Sequence, residues 1–375
     1  MNSAALLTAT LSLAAAATAS APLIAQAGAP ARAATPAAGY ADAVMRARAI
    51  IRDSMAAGRV PGLSVAVAVD GRVVWSEGFG LADVESGVPV TPSTRIRIGS
   101  VSKPLAAVAV ALLVERERLD LDLPVQRYVP SFPEKRYPVT TRQLAGHLAG
   151  IRHYKGDEFM SMRAYPTVTD GLGMFRDDTL VFRPGTRFSY SSHGFNLLSA
   201  VVEGAAGEDF LPYMRTKIFA PLGMRMTIAE HADSLIEHRA RYYVRAANGT
   251  VLNAPYVDNS YKWAGGGFLS TTEDLVRFGS ALLQPGFLKA ETLRLLFTSQ
   301  RTSDGKETGY AIGWSEGSDS AGRRTLSHGG SSVGANAHLI LYPAERVVVA
   351  ILANTSSQFV GSGRGAQQIA RLFFR

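Results

Sequence analysis

The sequence contains no cysteine, and charged residues make up only 19% of its 375 residues. Without thiols the chain can form no disulfide, no cysteine-linked lipid anchor, no thiolate metal site and no cysteine nucleophile. Its seven histidines form no His-Glu-x-x-His motif, so we expect no metal and no other cofactor. The net charge of +8 is scattered, which argues against nucleic-acid binding and leaves a weak attraction to anionic envelope surfaces.

The amino-terminal segment is also poor in charge. Residues 5–21 are an uncharged run of Ala, Leu, Thr and Ser, and Ala25-Gln26-Ala27 matches an A-x-A cleavage site. This pattern predicts a signal peptide over residues 1–27, a linker over residues 28–40 and a periplasmic or secreted protein. The segment starts without Lys or Arg, so an uncleaved amino-terminal anchor is the alternative.

Apolar residues make up 47% of the chain, which is enough for a large core. Apolar positions recur at helical spacing from Ala41 to Ala57, and Asp70-Gly71 is typical of a tight hairpin. A second apolar hairpin is predicted around residues 343–345. We therefore expect an α+β fold in which both chain ends build one antiparallel sheet flanked by terminal helices. The predicted hydrolase domain, residues 41–375, divides into an α/β lobe (about 41–100 and 266–375) and a mostly helical lobe (about 101–265).

The tetrapeptide Ser100-Val101-Ser102-Lys103 places a lysine three residues after a serine. On a helix such residues share one face, so the amine can reach the hydroxyl and act as its base. Gly99 precedes the pair, and Pro104 fits only near a helix start because it lacks an N–H. Ser100 is thus predicted at a helix N-terminus, where developing negative charge is favoured.

Two other patterns are decoys. Ser303-Asp304-Gly305-Lys306 repeats the serine and lysine spacing, but its Asp-Gly pair indicates a turn and no apolar helix follows. Residues 330–334 match the G-x-S-x-G elbow of α/β-hydrolases. An elbow should join a strand to a helix and precede its acid and histidine, whereas an alternating strand follows here.

A serine and lysine pair needs a second proton carrier and an oxyanion hole. Tyr190, ahead of Ser191 and Ser192, could be a general base if Lys103 lowers the pKa of its phenol; the alternative is a half-buried tyrosine at a helix cap. Gly329 and Gly330 would let the backbone approach a substrate, with the N–H of Ser331 facing the oxyanion beside that of Ser100. The alternative for that stretch is a flexible turn.

Ser100-x-x-Lys103, Tyr190-Ser191-Ser192 and His328-Gly329-Gly330 occur in this order along the chain. Together they resemble the serine β-lactamase and penicillin-binding family, on the side of the class C enzymes, D-aminopeptidases and esterases. A closer likeness is to the mitochondrial serine β-lactamase-like branch and its bacterial relatives. The segments that carry this closer likeness are residues 125–130, 150–154, 256–271 and 330–335.

The resemblance implies an acyl-enzyme on Ser100, with proton transfer shared by Lys103 and Tyr190 and an oxyanion hole made by the N–H groups of Ser100 and Ser331. His328 would line the cleft opposite Tyr190. Two departures from the class C pattern argue against a dedicated β-lactamase. Ser192 replaces an asparagine that contacts the substrate amide, and His328 replaces a lysine.

We therefore expect an exported serine hydrolase acting on amide or ester bonds, with a peptidase as the first candidate. An esterase, or a weak β-lactamase or D,D-peptidase using the same site, is the enzymatic alternative. The non-enzymatic alternative is a scaffold that assembles into filaments. The expected partners are a peptide or ester substrate and, in addition, further copies of the chain in a homo-oligomer or filament.

Overall fold

The computed structural model describes residues 37–375. The predicted signal peptide, and all of the predicted linker except its last four residues, lie outside the described residues and stay predictions. Between residues 37 and 375 no helix is both long enough and apolar enough to cross a membrane.

Long strands lie near the two ends of the described chain, and shorter strands lie between them. They are β1 (Gly62–Val69), β2 (Arg72–Asp83), β3 (Val88–Pro89), β4 (Ile96–Arg97), β5 (Ile228–Ala229), β6 (Tyr243–Arg245), β7 (Val251–Asn253), β8 (Phe268–Ser270), β9 (Ser315–Ser318), β10 (Arg324–Ser332), β11 (Ala335–Tyr342) and β12 (Val347–Ala353).

Seven of these strands form one antiparallel sheet in the order β3-β2-β1-β12-β11-β10-β9. Its centre joins the two ends of the described chain, since β1 pairs with β12 from Leu63 opposite Ala353 to Val69 opposite Val347. The predicted α+β fold, with its antiparallel sheet built from both ends, is confirmed.

Local turn chemistry explains the hairpins of this sheet. Asp70 and Gly71 have φ values of 50° and 78°, the left-handed pair that a two-residue turn between β1 and β2 requires. Gly334, with φ of 70°, lies in the turn between β10 and β11. The stretch containing Gly329 and Gly330 is not the flexible turn considered above, because it lies inside β10.

The helices cover both faces of the sheet and fill the region between β4 and β8. They are α1 (Ala41–Gly58), α2 (Ser102–Glu115), α3 (Thr141–Ala145), α4 (Val168–Leu172), α5 (Ser192–Ala206), α6 (Phe210–Tyr213), α7 (Trp263–Gly266), α8 (Thr272–Leu282), α9 (Ala290–Phe297), α10 (Gln358–Gly361) and α11 (Arg364–Ala370). Single turns of 3₁₀ helix span Gly99–Val101, Val125–Arg127, Glu158–Met160 and Ser260–Lys262, and Met214–Phe219 is a π-helical segment.

Side chains alternate between the two faces along β1, which is buried over its whole length. Val65 and Val67 pack in one cluster with α1 and α11, while Ala66 belongs to the other cluster with α2 and α8. Burial on both faces fixes the register, because a shift by one residue would exchange the two faces. The central helix α2 is buried from Ser102 to Leu113, so its position against the sheet is equally constrained.

Candidate active site

The serine and lysine pair lies where β4 leads into α2. Ser100 sits in the 3₁₀ turn Gly99–Val101, directly before α2, and is half-buried. Gly99 has φ of 48°, and a Cβ at this position would come within 2.5 Å of the carbonyl oxygen of Ser331. Only glycine therefore lets the Ser100 turn lie against β10.

Lys103 is completely buried in the first turn of α2. Its Nζ is within hydrogen-bonding distance of Ser100 Oγ at 2.9 Å, of Ser192 Oγ at 3.1 Å and of the carbonyl oxygen of Gly265 at 2.7 Å. No carboxylate of the described residues forms an ion pair with it. Burial, and after it the positive charge of Lys262, hold the pKa of Lys103 well below its usual range. A neutral amine, which is able to accept a proton, is favoured beside the serine.

Tyr190 lies over the same amine, with its ring centroid 4.8 Å from Lys103 Nζ. Its hydroxyl is within hydrogen-bonding reach of the side chains of Ser100 and Ser192. Loss of solvent nevertheless raises the pKa of Tyr190 to about 12, with these two hydrogen bonds opposing the rise. The expected lowering by Lys103 does not occur, because that amine is itself buried and faces the ring. Tyr190 therefore keeps its proton at neutral pH.

The two serines after Tyr190 have different roles. Ser191 is the N-cap of α5, since its Oγ accepts the Gly194 N–H at 3.0 Å. Ser192 is buried, and its hydroxyl bridges Lys103 and Tyr190 instead of standing free for a substrate. The structure thus makes Ser192 a link in the proton network of the site.

A buried histidine supports Tyr190 from behind. His147 Nδ1 accepts the Ser191 N–H at 3.1 Å, and its ring lies between Tyr190 and Tyr310, with centroid separations of 4.3 and 4.6 Å. Burial lowers the pKa of His147 well below its usual range. The ring is neutral and supports Tyr190 by packing, and it supports Ser191 by accepting its N–H.

The strand β10 forms the opposite wall. His328 Nε2 is 2.9 Å from the Tyr310 hydroxyl, and its ring centroid is 6.2 Å from that of Tyr190. Burial, followed by the charge of Lys103, lowers the pKa of His328 to about 3, so the ring is neutral. Gly330 has no room for a side chain, because a Cβ would lie 1.9 Å from the carbonyl oxygen of Ile98. Gly329, between them, would bring a Cβ no closer than 3.4 Å to any neighbour.

The structure thus brings together all the predicted site residues. Ser331 is exposed in side chain, while its backbone lies against Gly99, beside Ser100. The decoys lie apart from this arrangement: Ser303 and Lys306 are on a surface turn, and residues 330–334 run from β10 into a hairpin. In residues 37–375 no group of three or more His, Asp or Glu side chains is placed to hold a metal ion.

Sequence reasoning missed a second buried lysine near the pair. Lys262 is 2% exposed, and its Nζ has no hydrogen-bond partner in the described part of the chain. It lies 4.5 to 5.9 Å from the ring centroids of Phe159, Tyr261 and Tyr154. Burial, then the charge of Arg97, lower the pKa of Lys262 to about 7, and Glu230 opposes them. Lysine in an aromatic pocket has no short sequence signature.

Sequence reasoning also missed a buried ion pair that ties the site together. Arg97 Nε lies 2.8 Å from both carboxylate oxygens of Glu230, and another guanidinium nitrogen donates to the carbonyl oxygen of Val333 at 2.8 Å. Glu230 also accepts a hydrogen bond from the side-chain amide of Asn259. Four segments are joined in this way: the strand before Ser100, the residues after β5, the β10–β11 hairpin and the turn before α7.

An α+β fold with a serine and lysine pair under a tyrosine defines a class of serine acyl hydrolases. The family model described as Beta-lactamase matches residues 47–372, and the chain belongs to the beta-lactamase family. Members of this family are serine hydrolases that act through an acyl-enzyme, and this chain is a serine hydrolase. The predicted family resemblance is confirmed.

Individual relatives place the chain more closely. The "Serine beta-lactamase-like protein LACTB, mitochondrial" of Mus musculus is 36% identical over 463 residues, covering 92% of this chain and 83% of the relative. The human protein of the same description is 36% identical, covering 86% and 78%. Among solved structures, the octameric penicillin-binding protein homologue from Pyrococcus abyssi has a TM-score of 0.77 at 28% identity, covering 88% of this chain and 77% of that one.

These comparisons correct the predicted location. The relatives from mouse and human are described as mitochondrial, so the prediction of a periplasmic or secreted protein is wrong. The reason lies in the composition of the amino-terminal segment. It has no acidic residue before Asp42 and is rich in Ala, Ser and Thr, and targeting segments for mitochondria also lack acidic residues. Composition alone therefore did not distinguish the two destinations.

Proposed function

We propose that the protein is a peptidase that cleaves amide bonds through an acyl-enzyme on Ser100. The contact between Lys103 Nζ and Ser100 Oγ, at 2.9 Å in a buried position without a carboxylate, carries this proposal. A neutral amine accepts the hydroxyl proton as Ser100 attacks the carbonyl carbon, whereas an ammonium group could not.

The same contacts give the proton a route to the leaving group. Tyr190 donates its proton to the leaving nitrogen as the C–N bond breaks, and Lys103 replaces that proton through the Ser192 hydroxyl. The high pKa of Tyr190, about 12, keeps the phenol protonated until this step. An amine needs such a proton more than the alcohol of an ester does, which favours a peptidase.

The oxyanion of the tetrahedral intermediate would be bound by the backbone N–H groups of Ser100 and Ser331. The absence of side chains at Gly99 and Gly330 supports this assignment, because it allows the Ser100 turn to lie directly against β10. His328 forms part of the wall as a neutral ring and adds no charge beside Lys103. Water then attacks the acyl-enzyme, with Lys103 again as the base.

Labelling with a fluorescent fluorophosphonate tests the nucleophile. We expect the probe to label the protein, and Ser100→Ala to reduce the labelling rate by about 10⁴-fold or more, as removal of a serine nucleophile does. Ser303→Ala, which alters the decoy pair on the surface turn, is the matched control and should label normally. Labelling that survives in Ser100→Ala would remove Ser100 from the mechanism.

Substrate preference is tested with an anilide and a p-nitrophenyl ester of the same N-acyl amino acid, together with nitrocefin. A peptidase turns over the anilide and the ester, and both exceed nitrocefin in kcat/KM. Turnover of the ester alone would make the protein an esterase, and nitrocefin as the best substrate would make it a β-lactamase.

A further inference from the structure

An exposed histidine stands at the edge of the site and has no part in the proton network. His153 lies in the loop before the 3₁₀ turn at Glu158. Its ring packs beside Tyr154, with centroids 4.6 Å apart, and meets Tyr190 edge to face at 5.6 Å. These two aromatic neighbours thus fix the plane of the imidazole. One of them is Tyr190, whose hydroxyl lies beside Ser100.

A hydrogen bond from the backbone also determines which nitrogen of the His153 ring faces away from Ser192. His153 Nδ1 accepts the N–H of Ser192 at 3.1 Å. A nitrogen that accepts carries no proton, so the proton of the neutral ring is on Nε2. Protonation of Nδ1 would oppose the Ser192 N–H, which further favours the neutral form. No described protein group accepts from Nε2, so this N–H is the unpaired donor of an exposed side chain.

This placement suits a substrate group one residue from the scissile carbonyl. Ser192, which replaces the asparagine of class C enzymes, is buried and accepts from Lys103. Its hydroxyl proton is directed at Tyr190, so it has no free donor for a substrate. His153 lies next to Ser192, because its Nδ1 accepts the Ser192 N–H. Its Nε2–H is a donor of the kind that Ser192 lacks. A neutral N–H pairs well with the carbonyl oxygen of an amide, without the cost of burying a charge.

We propose that His153 is a specificity-determining residue whose Nε2–H donates a hydrogen bond to an acylamino carbonyl oxygen on the acyl half of the substrate. This inference rests on the proposed function and narrows it. The preferred substrates are peptides or other N-acylated amino acid derivatives, in which that carbonyl is present, over simple alkyl esters and amides.

A pair of esters of equal length tests the contact. The p-nitrophenyl ester of N-acetylglycine has the acylamino carbonyl, and p-nitrophenyl pentanoate lacks it. We expect the ratio of their kcat/KM values, acetylglycyl over pentanoate, to fall about tenfold in His153→Phe, which keeps the ring contacts and loses the donor. His153→Gln, whose side-chain amide can present a donor near the Nε2 position, should restore most of the ratio. His231 is also exposed and contacts an aromatic ring, that of Trp263, so His231→Phe is the matched control. This variant should keep the kcat/KM ratio of the unmodified protein.

The outcomes distinguish a failure of the inference about His153 from a failure of the proposed function. A ratio that is unchanged in His153→Phe overturns the inference, and so does a fall that His153→Gln does not restore, because that pattern indicates a packing role. If the unmodified protein turns over neither ester and Ser100 is not labelled, the proposed function fails and the inference fails with it. Turnover that depends on Ser100, together with an unchanged ratio, removes only His153.

Discussion

Two sets of buried basic residues lie near Ser100, and they differ in whether a carboxylate is paired with them. Arg97 is paired with Glu230 through two short contacts and remains charged, since the carboxylate opposes the effect of burial and the pKa of Arg97 is raised. Lys103 and Lys262 are buried without an ion-pair partner, and both have lowered pKa values. The paired charge fixes positions, and the unpaired amines are free to exchange protons.

Arg97 and Lys103 are only six residues apart in the sequence, but the first contributes to stability and the second to the chemistry of the site. Arg97 holds the hairpin of β10 and β11 through the carbonyl oxygen of Val333, so the ion pair sets the wall against which Ser100 acts. Lys103 also contacts neighbouring segments, through Ser192 and Gly265, but its amine lies 2.9 Å from the reacting oxygen of Ser100. Changes at the two sets should therefore give different signatures in unfolding and in rate measurements.

The largest effect is expected at the ion pair. Glu230→Gln leaves the buried guanidinium of Arg97 without a countercharge, which should lower the free energy of unfolding by about 3–5 kcal/mol. Denaturant unfolding of the purified protein measures this loss. The exposed pair of Arg142 and Asp122 is the matched control, and Asp122→Asn should cost about 1 kcal/mol or less. Equal losses for the two variants would show that burial does not distinguish the pairs.

At Lys103 we expect a smaller effect, and it concerns the rate of acylation and not the free energy of unfolding. Lys103→Met keeps the length of the buried side chain and removes the base, so fluorophosphonate labelling of Ser100 should slow by about 100-fold. Lys306→Met, at the decoy pair, should label at the normal rate. Circular dichroism of both variants checks that they are folded, and a normal rate in folded Lys103→Met would exclude the lysine as the base.

The smallest effect concerns pH and Lys262. In the unfolded chain this lysine binds a proton up to about pH 10.4, whereas in the fold its pKa is about 7. The unfolded state therefore holds more protons between these values, and the free energy of unfolding gains up to about 1.4 kcal/mol per pH unit from this residue as pH rises. Lys262→Met should lose that part of the slope, measured by denaturant unfolding at pH 7, 8 and 9. An unchanged slope would mean that Lys262 stays charged in the fold.

Activity gives an independent measure of the same residue. Since the charge of Lys262 lowers the pKa of Lys103, Lys262→Met should raise the pKa of Lys103 and move the acid limb of the kcat/KM profile to higher pH. On the acid limb the rate should fall in proportion to the lost fraction of neutral amine.

Features that depend on near neighbours could be predicted from the sequence. Ser100 and Lys103 are one helical turn apart, and Asp70-Gly71 forms its own hairpin, so both follow from spacing and turn chemistry. Lys262 and Glu230 could not be predicted, because their surroundings come from segments far apart in the chain. The direction in which the pKa of Tyr190 is shifted could not be predicted for a related reason. Sequence shows that a lysine is present but not that burial removes its charge.

The pairing of β1 with β12 has a consequence for how the enzyme is made. Leu63 and Ala353 meet at the centre of the sheet, so the sheet cannot be completed until the last strand has been synthesised. Contacts between such distant residues slow folding, because a long loop must close before they form. The nucleophile turn and its opposing strand β10 are thus aligned late, and the catalytic centre stays incomplete through most of the chain's synthesis.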